Sequence, residues 1–133
     1  MIEGIKYVEV VQLYFRFLIE EFNCMILEEK IKGEAFYEVK YLYQEKAISI
    51  SYENTEDYLQ VIIFILEQGK LPKYDDKSKT LHLQQLNASV FSKIDSEQIV
   101  ANNEVFSRFF ATNVFEKQLL KYAKELRLCL LNV

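Results

Sequence analysis

Two neighbouring stretches alternate side-chain character with a period of two, and nothing else in the chain restricts its fold as strongly. In AFYEVKYLY, Tyr37, Val39, Tyr41 and Tyr43 alternate with Glu38, Lys40 and Leu42. In AISISYE, Ile48, Ile50 and Tyr52 alternate with Ala47, Ser49 and Ser51. A strand sends successive side chains to opposite faces, so the pattern predicts antiparallel strands with one face buried. The intervening QEK predicts a short hairpin connection.

The flanking segments extend this sheet. Residues 24–31 read as an earlier strand ending near Gly33. The segment DYLQVIIFILEQG is ambiguous. Asn54 or Thr55 could cap a helix there, with Glu56 and Asp57 in its first turn and Gly69 at its end. Against that, Val61, Ile62, Ile63, Phe64 and Ile65 are β-branched or aromatic, as strands prefer. The expectation over 57–67 is a central strand buried on both faces.

Helical periodicity occupies both ends. Over residues 2–22, Glu3, Lys6, Glu9, Gln12, Arg16 and Glu20 form one narrow polar stripe, which predicts a core helix. The stretch Gly69–Lys79 contains the single proline and a dense charge cluster, and reads as the longest loop. Beyond it, Leu83, Leu86, Val90, Phe91 and Ile94 in TLHLQQLNASVFSKI fall at helical spacing. Asp95 or Ser96 can cap a short helix, and Asn103 another. Asn113 with Glu116 resembles a capping box that opens a helix to about Leu131. Its inner face carries Phe115, Leu119, Tyr122, Leu126 and Cys129, with Lys117, Lys121 and Lys124 outside. The order predicts an α+β fold: N-terminal helix, antiparallel meander of about four strands, then helices packed on the sheet. One domain, 1–133, suits a chain of 133 residues that is 50% hydrophobic.

Charge and cysteine usage narrow the partners and the compartment. Residues 1–60 carry 12 acidic and 6 basic side chains, whereas 61–133 carry 8 acidic and 10 basic. An acidic half disfavours nucleic-acid phosphate and favours a basic protein. Cys24 and Cys129 each sit among apolar neighbours, which suits buried, inert thiols in a reducing compartment. The N-terminal stretch carries Glu3, Lys6, Glu9 and Arg16 and lacks the pattern of a signal peptide. No charge-free run reaches the roughly 18 residues of a membrane span. The expected location is cytoplasmic.

Catalytic signatures are sparse. His82 is the single histidine, and TLHLQQL places it at the margin of a helical core. Asp75 and Asp76 could reach it, though KYDDKSK alternates them with lysines in the manner of a solvated loop. One histidine without a Cys-x-x-Cys pair cannot form the usual structural zinc set. Glycine-rich phosphate loops and nucleophile elbows are missing. The expectation is a chain with no metal and no cofactor that is not an enzyme. Nine tyrosines and ten phenylalanines could stack nucleic-acid bases, but such sites need a basic groove, and these strands lie in the acidic half.

The stretch SYENTEDYLQV gathers Glu53, Glu56 and Asp57 on one expected turn between Tyr52 and Tyr58. Hydrated carboxylates there suit neither acid–base catalysis nor a calcium loop, which needs regular oxygen ligands and a glycine. The five residues Tyr52, Glu53, Glu56, Asp57 and Tyr58 form the candidate partner-binding site, since charge around aromatic anchors is common at interface hot spots.

Together, SYENTEDYLQVIIF, KTLHLQQLN and LLKYAKELR resemble, as a pattern of elements over residues 36–127, small bacterial α+β proteins. Some proteins of that build are immunity proteins in toxin loci, including contact-dependent inhibition systems. The resemblance implies a protein that neutralises a toxin by occluding its site. The alternatives are a homo-oligomeric or scaffold domain with another intracellular partner, and an enzyme centred on His82.

Overall fold

A computed structural model describes residues 2–70 and 79–133. The stretch 71–78, including Asp75 and Asp76 of the expected charged loop, lies outside the described residues. The fold is α+β, with helices, then a five-stranded antiparallel sheet, then helices. It forms two compact units, Met1–His82 and Leu83–Val133.

The first unit begins with α1 (Gly4–Tyr14) and α2 (Phe17–Phe22), where the sequence predicts one helix over 2–22. The break at Phe15–Arg16 contains tight turns, with Leu18 N donating to Phe15 O and Ile19 N to Arg16 O. Phe15 and Phe17 would lie on nearly opposite sides of a continuous helix. The break lets both be buried, together with Leu18. Asn23 then ends α2 in the left-handed region (φ 57°), and Cys24 N donates back to Leu18 O at 2.9 Å.

Strands β1 (Met25–Lys32), β2 (Phe36–Tyr43), β3 (Lys46–Glu53) and β4 (Tyr58–Ile65) follow as a meander. The segment 57–67 is thus a strand over most of its length. The hairpin at QEK turns through Gln44, whose φ is 56°. A fifth strand, β5 (Thr80–His82), pairs antiparallel with β4 through Ile62↔His82, Ile63↔Leu81 and Phe64↔Thr80. The sequence expectation placed residues 80–82 in a helix. Beside a buried strand whose outer edge needs hydrogen-bond partners, the chain stays extended for three residues before turning helical.

Helix α1 lies on β1 and β2. Gly4 makes the close approach possible: a Cβ there would stand 2.7 Å from Ile31 Cγ2 and 3.0 Å from Tyr37 Cε1. Tyr7 is the centre of this contact. Its ring lies 5.5 Å from Tyr37 and stacks 6.1 Å from Tyr52, and its hydroxyl donates to Ile50 O at 2.6 Å.

The opposite face of the sheet departs from the expected pattern. Glu38, Lys40, Ser49 and Ser51, which the alternation assigns to a wet face, are all buried. Residues on both faces of β2 and β3 are buried, as on β4. Burial of these polar groups is tolerable because most of them are paired, as described below.

The second unit contains α3 (Leu83–Val90), a 3₁₀ turn (Phe91–Lys93), α4 (Ser96–Val105) and α5 (Val114–Leu131). Asp95 caps α4 in a reciprocal box with Gln98. Asn103 starts no helix, since α4 runs through it. Asn113 caps α5 by accepting from Glu116 N at 2.8 Å. On α5, Leu119, Ala123, Leu126, Cys129 and Leu130 are buried, so Phe115 and Tyr122 of the expected stripe lie only at its margin. Buried Asn102 joins α4 to α5, donating to Lys124 O at 3.0 Å and accepting from Arg127 Nη1 at 2.9 Å.

Both thiols are free and buried. Burial pushes Cys24 up to about 11 and Cys129 to about 12, so little thiolate exists at neutral pH. Native protein should react with iodoacetamide on the order of tenfold or more slowly than a free cysteine does. Rapid alkylation of the folded chain would contradict this.

Candidate functional site

The residues singled out in SYENTEDYLQV occupy the connection between β3 and β4. Residues 54–57 form the turn, with Asp57 in the left-handed region at φ 50°. Glu53, Glu56 and Asp57 are exposed, and Tyr58 is 49% exposed. Tyr52 is different. It is 6% exposed and stacked on Tyr7, so it supports the turn from beneath and offers no ring to a partner. Its hydroxyl donates to Asp57 Oδ1 at 2.6 Å and holds that carboxylate in place. Burial first, and then the Asp57 carboxylate, push the Tyr52 hydroxyl up to about 12.

Asn54 organises this end of the sheet. Its side chain is buried, and its Nδ2 donates to Glu34 O at 2.9 Å, to Tyr37 Oη at 3.1 Å and to Ile2 O at 3.3 Å. Its backbone N donates to Ala35 O at 2.8 Å. One residue therefore ties together the β3–β4 turn, the β1–β2 turn and the segment entering α1. Gly33, at φ 56°, allows the β1–β2 turn to close. As a result the exposed carboxylates of Glu3 and Glu34 join those of Glu53, Glu56 and Asp57 on one end of the unit. Glu3, Glu34 and Asn54 line a hollow of about 450 Å³ there. The sequence reading missed Glu3 and Glu34, because nothing local in the chain places positions 3, 34 and 54 side by side.

A second polar assembly lies on the sheet face away from α1. Pairing puts Glu28 opposite Lys40 and Lys30 opposite Glu38. Lys40 Nζ lies 3.0 Å from Glu28 Oε1 and 3.5 Å from Glu38 Oε1. Lys30 Nζ lies 3.5 Å and 3.8 Å from the same two oxygens. Ser49 Oγ donates to the other Glu38 oxygen at 2.6 Å. The hydrogen bond from Lys40, and then its charge, hold the Glu28 carboxyl below the usual range. The hairpin register contains a signal for this network: Glu38 and Lys40 share a face and stand opposite Ser51 and Ser49.

His82 sits on β5 opposite Ile62, half-buried, instead of on a helix. Among the described residues, no group of three or more His, Cys, Asp and Glu could hold a metal ion, and no helix is long and apolar enough to cross a membrane. Compared with protein-family models, curated proteins and solved structures, the chain has no match.

Proposed function

We propose that this chain is a non-enzymatic protein-binding domain, and specifically an immunity protein that neutralises a bacterial toxin by covering its site. The observation that carries the reading is the acidic end fixed by Asn54, where Glu3, Glu34, Glu53, Glu56 and Asp57 are exposed beside half-exposed Tyr58. Turns whose backbone is already fixed lose little freedom when a partner docks. Toxins that act on nucleic acid carry basic surfaces to meet a polyanion, so opposite charge speeds encounter and sets orientation.

The reading expects a toxin gene beside the chain's own, and the test uses the product of that gene where it is found; a neighbourhood without one counts against the reading. Replacing Glu53, Glu56 and Asp57 by their amides should slow association roughly tenfold at low salt and flatten its salt dependence. The fold should persist, since all three side chains are exposed. Equal rates and equal salt slopes for the wild type and the triple variant would remove the turn from the interface.

The reading of a homo-oligomer has one observation in its favour. Strand β1 is the edge of the sheet, and Met25, Ile26, Leu27 and Ile31 are between 41% and 65% exposed. A register shift between Ile26 and Glu28 and the interspersed charges oppose further strand addition. The partner surface at the acidic end is therefore the stronger reading.

A further inference from the structure

The sheet face away from α1 carries a half-open hollow of about 320 Å³, at the small end of the roughly 300–1,000 Å³ range of ligand sites. We propose that it binds a small organic monocarboxylate with an apolar body.

The strand register builds the cavity floor in rows. One row runs Lys32, Phe36, Glu53, Tyr58, and the next runs Lys30, Glu38, Ser51, Gln60. A third brings Lys40 and Ser49 beside Ile62, and Phe64 lies beyond it next to Ala47. The floor therefore changes from charged to apolar along the strands.

Hydrogen-bonding capacity decides which charge the floor takes. Glu38 uses one oxygen on Ser49 and the other on two ammonium groups, and Glu28 faces the same two. These anions are occupied by the protein itself. Each lysine ammonium carries three N–H groups, so Lys30 and Lys40 each keep one after meeting their two carboxylates. Among the described residues, Lys32 meets the ring of Phe36, its Nζ 6.0 Å from the centroid. Among the described residues, the Ser51 hydroxyl has no hydrogen-bond partner. The unspent groups over the second row are lysine N–H groups and the Ser51 hydroxyl, all of which can donate to an anionic oxygen. Glu53, at the outer row, directs that oxygen inward and away from itself.

Charge balance then counts against a second negative charge on the ligand. Lys30, Lys32 and Lys40 are already matched by Glu28, Glu38 and Glu53, so the site has no net charge, and a dianion such as a phosphate monoester would be held less well than a monoanion. Ile62 and Phe64 receive the apolar body by removing its surface from water. The carboxylate thus lies over Ser51 and the lysines, with its carbon skeleton toward Phe64. The site shares Glu53 and Tyr58 with the acidic end, but its donors, Ser51 and the lysines, do not depend on the partner reading.

The test is an amide chemical-shift titration of the whole chain with benzoate, using benzylamine and phenyl phosphate as matched probes. Benzoate should give saturable shifts centred on Ser51, Gln60 and Ile62, and benzylamine none. Phenyl phosphate should bind more weakly than benzoate. S51A and K32Q should each weaken benzoate about tenfold, as expected for loss of a hydrogen bond to a charged group. K32Q alters an exposed side chain, and so keeps the test decisive if S51A unfolds. No saturable benzoate shift, equal shifts from benzylamine, tighter binding of phenyl phosphate, or unchanged benzoate affinity in a folded variant would overturn the proposal.

Discussion

Lys40→Met should destabilise the sheet unit by about 3–5 kcal/mol, the usual result of removing one partner from a buried ion pair. Lys40 and Glu38 are each 8% exposed, so the remaining Glu38 carboxylate would keep its desolvation cost with less compensation. Lys30 stays 3.8 Å away and Ser49 still donates to the carboxylate, which argues for the lower end of that range. The double variant Lys40→Met with Glu38→Leu should be less destabilised than Lys40→Met alone, because no buried charge is then left unpaired. Hydrogen exchange at the Val39 and Ile50 amides, which lie opposite each other in the sheet, reads this out within the first unit alone. A double variant as unstable as the sum of the single changes would show that the pair adds nothing beyond packing.

Asn54→Ala should cost about 1–3 kcal/mol, the usual cost of an unsatisfied buried polar group. The change removes the donor shared by Glu34 O, Tyr37 Oη and Ile2 O, while the Tyr37 hydroxyl still reaches Ile2 O at 3.0 Å. The backbone bond from Asn54 N to Ala35 O survives, so the strands should stay paired while the two turns separate. Faster exchange should therefore be concentrated at residues 33–35 and 54–57. Exposed Thr55 in the same turn provides the control, since Thr55→Ala should change stability by no more than about 0.5 kcal/mol. Equal effects of the two substitutions would mean that Asn54 does not join the turns.

The elements most visible in the sequence were those with a strict local period. Residues 36–43 and 46–53 alternate cleanly and are strands, and the β-branched run at 61–65 overrode the capping signal at Asn54. Asn113 and Asp95 announced α5 and α4 because a cap acts within four residues. The rest was set by partners distant in sequence. TLH reads as part of a helix until the open side of β4 is known, and the break at Phe15 serves burial of residues on both sides of it. Burial of Glu38 and Lys40 was hidden for a related reason, since alternation gives the two faces without saying that both are buried. At the site, the exposed acidic turn was legible, but the role of Asn54 was not. A capping residue for a helix and a buried bracket between two turns have the same local sequence. Nothing local marks the candidate Tyr52 as buried, because its packing depends on Tyr7, 45 positions earlier.

The most direct test of the proposed partner surface is amide hydrogen exchange on the chain, free and mixed with a basic toxin domain found to be encoded beside its gene. The acidic end should become protected as a unit, with slower exchange at residues 33–35 and 53–58 and little change on the exposed face of α5 around Lys117 and Lys121. Protection confined to α5 or to other surfaces, with both turns exchanging as in the free chain, would contradict the assignment of the acidic end as the partner surface.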